Sequence, residues 1–493
     1  MKPGSIASAS QTSLLLTGSL AAALLVGCGG SGHTGTTGSN PPVTGLGTTV
    51  VLQASSDANA RFVGFGMSID SLSLTNKAGV KTTVYNTPTD VSFLPWNADA
   101  EPLATFTVPR DEYTAAAVTL SDPWFTYIFM AQDGQITIAT DAYGGSYAPV
   151  APVVNLAGPI TVDGGSMGMT LSLQTPQSGT YNPNPGGASY SISPTFTLTP
   201  FSIGSSGIGA GMLGQITAIA NGGSSLTLKV PGGNVFQPVT TTVQLNGTTA
   251  YQGVGSASDL AVGMVIDFDA AAQADGTYAA TRVDVQDPAA ADVVTGQLME
   301  LVDWTPGSPA LSLDTDLQAG TDIFQNSPVA VGYLFLYGNT TRFQTSATFP
   351  DLASLPFQAA FDSSSMAAGQ MVAVASASIS YTAPNYTQAT TVTLMPQYID
   401  GRVVAQSTSG NFDVFTVQLA PYDEIVQMNM KAAYGVPSVL SNASTVYVYT
   451  DATTSMSANG VSGGNTYRFH GLLFNDGGTL RLACDKVVNG VPQ

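Results

Sequence analysis

Leu260-Ala261-Val262-Gly263-Met264-Val265, then Asp275-Gly276-Thr277-Tyr278-Ala279-Ala280-Thr281-Arg282-Val283, is the stretch that decides how this chain is read. A glycine opens an alternating apolar run, and an Asp-Gly pair separates that run from the next. Two antiparallel strands joined by a hairpin have this form. The same landmarks recur twice further on. A glycine precedes an apolar strand at Gly214-Gln215-Ile216, Gly296-Gln297-Leu298 and Gly401-Arg402-Val403. A paired threonine ends Asn246-Gly247-Thr248-Thr249, Gly338-Asn339-Thr340-Thr341 and Asp451-Ala452-Thr453-Thr454. A second glycine opens Gly263-Met264-Val265-Ile266, Gly369-Gln370-Met371-Val372 and Gly464-Asn465-Thr466-Tyr467. A closing hairpin stands at Asp275-Gly276, Pro384-Asn385 and Asp476-Gly477. The chain therefore carries three copies of one unit, with insertions between landmarks.

From Thr48 onward no long stretch repeats at 3.6 residues. Short alternating runs such as Gln135-Ile136-Thr137-Ile138-Ala139 and Thr195-Phe196-Thr197-Leu198-Thr199 lie between turn residues. That pattern predicts an all-β fold: an N-terminal β-sandwich followed by three small β-barrel (OB-like) repeats. Short strands left as an open sheet expose pairing edges, and closure into a barrel removes them. The expected divisions are a sandwich over 48–205 and barrels over 206–290, 291–397 and 398–493.

The segment Phe106-Thr107-Val108-Pro109-Arg110-Asp111-Glu112-Tyr113-Thr114, with its Val-Pro and following Tyr-Thr, resembles an uncharacterised family of bacterial lipoprotein β-sandwich domains. Proline cannot donate to a ladder and suits a strand start, while Tyr113 and Trp124 offer large core area. The first repeat, Leu213 to Asp287, resembles an uncharacterised bacterial small β-barrel family of OB-like form. Both resemblances imply architecture and no chemistry.

The N-terminus has the pattern of an export signal over 1–27. Lys2 is its single charge, and an apolar run from Leu14 to Val26 leads to Leu25-Val26-Gly27-Cys28. This resembles the lipobox of bacterial lipoproteins, which implies a mature chain that begins at Cys28 and carries acyl chains there. The run is too short for a confident spanning helix. Gly29 in place of Asp leans toward the outer membrane of a diderm envelope. Residues 28–47 are rich in Gly, Ser and Thr and read as a flexible tether, with His33 a solvated residue within it.

Only 9% of the 493 residues are charged, and 13 Lys+Arg face 32 Asp+Glu for a net charge of -19. Phosphate neutralisation needs clustered cations, so nucleic acid is excluded as a partner. The expected partners are the membrane, through the acyl chains, and a glycan or envelope protein. No cofactor, metal or catalytic residue is expected. His470 is the one histidine beyond the tether. Alignment of the copies sets it opposite Asp269 and Ala375, on the outward face of a strand, as a surface residue. Cys484 falls on the inward face with Leu480 and Leu482, as an inert thiol. Asp314, Asp316 and Asp322 faintly suggest a calcium loop but miss its spacing and read as solvated. Tyr143, Tyr147, Tyr181, Tyr190, Tyr381 and Tyr386, set among Gly, Pro, Asn and Ser, are the candidate binding residues, because aromatic faces on loops stack on sugars or hold a protein partner. The function expected is a non-catalytic, lipid-anchored scaffold or binding module of the bacterial cell envelope. The alternatives are a carboxylate-based glycan hydrolase, for which two opposed carboxylates suffice, and a structural subunit of a surface assembly.

Overall fold

The computed structural model describes residues 47–56, 62–93, 100–130, 136–141, 152–182, 189–204, 207–230, 239–290, 292–305, 308–314, 333–346, 352–377, 386–419, 425–426, 442, 444–456 and 460–489. The first unit contains β1 (Thr48–Ser56), β2 (Phe62–Asn76), β3 (Lys81–Tyr85), β4 (Thr89–Ser92), β5 (Glu101–Val108), β6 (Asp111–Met130), β7 (Ile136–Asp141), β8 (Val153–Leu156), β9 (Ile160–Val162), β10 (Ser166–Leu173), β11 (Gly179–Asn182), β12 (Ser189–Ile192) and β13 (Thr195–Phe201). One sheet runs β5-β1-β10-β13-β8; the other runs β3-β2-β6-β7, with β4 on β2 and β9 on β6. Alternation sends one face of each sheet inward. Val50, Leu52 and Leu171 of the first sheet share a core with Phe65, Leu72 and Leu120 of the second. The Val-Pro and Tyr-Thr segment marks the passage between the sheets. Tyr113 is buried and its hydroxyl donates to the Pro109 carbonyl at 2.8 Å. Trp124 lies in β6 opposite Gly66.

The first barrel contains β14 (Gly207–Ala220), β15 (Ser225–Val230), β16 (Val239–Gln244), β17 (Ala250–Gln252), β18 (Val265–Ala272) and β19 (Tyr278–Asp284). The second contains β20 (Asp292–Thr305), β21 (Ser308–Asp314), β22 (Tyr333–Leu336), β23 (Arg342–Thr345), β24 (Met371–Ser376) and β25 (Tyr386–Leu394). The third contains β26 (Gln397–Ser409), β27 (Phe412–Leu419), β28 (Thr445–Thr450), β29 (Ser455–Met456), β30 (Thr466–Asp476) and β31 (Thr479–Asn489). All have one topology, β16-β15-β14-β18-β19-β17 in the first and its equivalents in the others. Parallel pairings β16–β19, β22–β25 and β28–β31 close each sheet on itself. The fold is therefore all-β, a sandwich followed by OB-like barrel repeats.

The landmarks are backbone devices. Gly263, Gly369 and Gly464 have φ of +96°, +89° and +89°, a conformation that L side chains rarely adopt. Their N–H groups donate to the carbonyls of Ile216, Leu298 and Val403 at 2.8, 2.7 and 2.8 Å. Those three residues in turn donate to the carbonyls of Met264, Gln370 and Asn465 at 2.9 Å each. This clasp ties the turn before the fourth long strand to the first strand of the same barrel.

The second threonine of each pair works in the same repeated way. Thr249, Thr341 and Thr454 are buried and donate to the carbonyls of Ala280, Ala389 and Cys484 at 2.8, 2.9 and 3.0 Å. Each hydroxyl also accepts from the backbone N–H three residues earlier, at Asn246, Gly338 and Asp451. A valine of the same shape would leave both backbone groups unpaired inside, which is why threonine stands there.

The units share cores. Val51, on the outer face of β1, packs with the first barrel's core, and Thr105 donates to the Gly276 carbonyl at 3.0 Å. Leu213 and Val265 of the first barrel pack with Val293, Met371, Ala373 and Ala375 of the second. Leu472, Phe474 and Ala483, on the outer face of the third barrel, join the second barrel's core. Gln370 is buried and donates from Nε2 to the Leu473 carbonyl at 2.9 Å. Residues Gly45–Gln493 accordingly form one compact unit.

Candidate functional site

Two ionic clusters occupy equivalent outward positions on the first and third barrels. In β18 the alternation Asp267-Phe268-Asp269 points Phe268 into the core and both carboxylates outward. Asp269 pairs with Arg282 of β19, and Asp267 with Asp284. Arg282 donates from Nη2 to Asp267 at 3.0 Å, and from Nε to Asp269 at 2.8 Å. Among the described residues its Nη1 has no hydrogen-bond partner, and it lies 4.0 Å from Asp284. Three carboxylates thus surround one guanidinium, and Asp267 has no exposed surface at all.

Burial is the largest influence on Asp267. Arg282 opposes it, Asp269 and Asp284 reinforce it, and the carboxyl is pushed up to about 7. A buried carboxyl titrating near neutrality can donate a hydrogen bond as an acid and accept one as an anion. The Ser346 hydroxyl of the second barrel lies 3.5 Å from Asp267 Oδ2.

On the third barrel, Arg468 grips Asp400 through two hydrogen bonds, at 2.8 and 2.6 Å, and its guanidinium lies over the Tyr398 ring at 5.5 Å. Tyr398 also stacks on His470, centroid to centroid at 4.6 Å. His470 Nδ1 lies 2.7 Å from Asp485 Oδ1. Registers set His470 opposite Lys486, Asp269 opposite Arg282 and Ala375 opposite Thr391. The alignment of copies expected from the sequence is thus the alignment in space.

The expectation of a surface histidine is corrected. His470 does lie on the outer side of its strand, but it is only 4% exposed, because Tyr398 and Asp485 enclose it. An imidazole oriented by a carboxylate is one component of acid–base catalysis. Among the described residues no hydroxyl or thiol is hydrogen-bonded to that ring.

Cys484 is buried and free, with burial first and the Asp485 charge second pushing its thiol up, away from the reactive thiolate. Asp314 ends β21, and Asp316 and Asp322 lie outside the described residues. Among the described residues no group of three or more His, Cys, Asp or Glu side chains is disposed to hold a metal ion.

Three of the six candidate tyrosines lie among the described residues, on β11, β12 and β25. Tyr143, Tyr147 and Tyr381 lie outside the described residues, as do Cys28 and His33. Tyr181 and Tyr190 are not in loops: they are cross-strand partners in the β11–β12 hairpin. Tyr386 is the first residue of β25, opposite Leu334. The alternation that marks strands was masked there by the neighbouring Gly, Pro and Asn.

The charged clusters were missed in the sequence although they left a signal. In a chain with so few charges, Asp-x-Asp and Arg-x-Asp flank inward residues on adjacent strands.

The chain's architecture is that of an all-β protein of repeated OB-like barrels. Residues 214–284, the first barrel, match the family model described as Domain of unknown function (DUF5666). Among curated proteins none matches. A solved chain described as "drosophila Unr CSD456" is 10% identical, with coverage of 58% of this chain and 100% of that one. Its TM-score of 0.14 is too low to carry an argument.

Proposed function

We propose that this chain is a lipid-anchored lipoprotein of the bacterial cell envelope, a non-catalytic scaffold or binding module for a glycan or protein. The carrying observation is that the sandwich and barrels interlock through shared buried residues. Val51 and Phe474 each leave their own unit to pack in a neighbour's core, and Ala373 joins Leu213 and Val265 in a buried cluster between the first two barrels. Linked domains that move independently have smaller, more polar junctions. An interlocked stack transmits position from one end to the other, which suits a support.

The lipobox-like Leu25-Val26-Gly27-Cys28 supplies the attachment and the Gly/Ser/Thr-rich segment after it supplies the tether. The sandwich, by its Val-Pro and Tyr-Thr segment, is assigned to the lipoprotein sandwich family it resembles. Removing Lys2 with the signal leaves 12 cations against 32 acids, a balance of -20. Such a charge is repelled by an anionic surface, so acyl chains and not electrostatics would hold the protein there. The acidic balance also argues against a nucleic-acid partner.

Incubation of the purified protein with a polysaccharide panel tests the reading. Binding without turnover, or a stoichiometric partner recovered from detergent-solubilised envelope, is the expected result. Turnover abolished by one Asp or Glu substitution would replace the scaffold with a hydrolase.

A further inference from the structure

We infer that the junction between the first and second barrels is a proton-gated latch, closed while Asp267 carries a proton and slackened when that carboxyl ionises. The geometry is a charge imbalance sealed inside an interface. Three carboxylates share one guanidinium, and Asp267 faces the second barrel with no water-exposed surface. The opposing barrel has no counter-charge at the matching strand positions, where Ala373, Ala375, Thr391 and Thr393 stand.

The surrounding groups come from every element packed there. Asp269 lies on Asp267's own strand, while Arg282 and Asp284 lie on β19. Leu213, the register partner on β14, is uncharged. The second barrel contributes Ser346 and, as its nearest cation, Arg342. Arg342 is committed to the Gln286 carbonyl at 2.5 Å and to the Thr391 hydroxyl at 3.3 Å. Ser346 donates to Asp267 across the junction, but an ionised Asp267 shares its one guanidinium with Asp269 and Asp284 and is only partly matched, whereas the protonated acid buries no charge.

A second tie makes the latch a local device and not a general loosening. Asp287 accepts from the Thr390 and Thr391 hydroxyls of the second barrel at 2.7 and 3.1 Å. Burial works against that carboxylate's charge, yet these hydrogen bonds, the Ala289 N–H and Arg342 outweigh it and hold Asp287 below the usual range. It therefore stays ionised and bonded while Asp267 titrates. Opening the junction hydrates Asp267 and restores an ordinary carboxyl, so ionisation favours the open form. Between the ordinary carboxyl value of 3.8 and about 7 closure therefore takes up one proton, so the closing equilibrium falls by up to about tenfold per pH unit across that window and is level above it.

Hydrogen–deuterium exchange on the full chain between pH 4 and 9, corrected for intrinsic rates, tests this. Amides of residues 285–290 and 342–346 should lose protection by up to about tenfold per pH unit between about pH 4 and about pH 7, and level off above that. Amides of β27 and β28 should not follow. Asp267→Asn should keep the junction protected at pH 9. Asp284→Asn, which removes one repelling carboxylate, should end the loss at lower pH and leave the junction better protected at pH 9 than in the wild type. A flat wild-type profile overturns the latch without reference to any variant. So does an Asp267→Asn protein with the wild-type slope, or an Asp284→Asn protein no better protected at pH 9 than the wild type.

Discussion

Asp267→Asn is expected to be more stable than the wild type at pH 8.5, by about 4 kcal/mol in urea denaturation followed by far-ultraviolet circular dichroism. The folded carboxyl titrates at about 7 against an ordinary 3.8. A raised carboxyl contributes stability that is fully present below 3.8 and is lost as pH rises through about 7. A shift of about three units, at 1.36 kcal/mol each, gives the magnitude. Asparagine has no charge to bury and can still bond Arg282, which keeps Asp269 as its ionic partner. The advantage should shrink steadily as the pH is lowered toward 4. An Asp267→Asn protein less stable than wild type at pH 8.5 would mean that the Asp267–Arg282 attraction outweighs burial.

The second large effect separates three glycines that share one backbone conformation. At Gly263 and Gly464 an added Cβ would meet nothing within 4 Å. Alanine there should cost about 1–2 kcal/mol, for the positive φ alone. At Gly369 the same Cβ would lie 2.7 Å from Ile425 Cα. That neighbour is backbone, and its side chain is buried in the third barrel's core. Gly369→Ala should therefore cost about 2–5 kcal/mol, the conformational penalty plus about 1–3 kcal/mol for overpacking. It should also weaken the Gln397 bond to the Gly369 carbonyl, which spans 3.0 Å across the same junction. Urea denaturation of the three single variants checks the ranking. Equal losses at all three positions would mean that Ile425 gives way freely.

The repeat was legible in the sequence because its landmarks are dictated by backbone geometry. A positive φ restricts Gly263, Gly369 and Gly464 to glycine, and a hydroxyl bonded on both sides restricts Thr249, Thr341 and Thr454. Alternation also placed Cys484 inward and His470 outward. It could not show that His470 is covered, because the cover is the Tyr398 ring on a strand distant in sequence. For the same reason the Asp267 cluster was not read as a site. Its meaning depends on the second barrel docking on that face, and no period in the sequence records which outer face is docked. The loop placement of Tyr181 and Tyr190 failed for a local reason: they sit in strands only four residues long, too short for alternation to outweigh adjacent turn residues.

Attachment to a membrane through Cys28 is the central functional claim. Metabolic labelling of a diderm bacterial host with an alkyne fatty acid, followed by envelope fractionation, tests it most directly. The wild type should take up label and sediment with the membrane, and Cys28→Ala should lose the label and leave the membrane fraction. A Cys28→Ala protein that still sediments with the membrane, or a wild type that carries no label, would contradict the account.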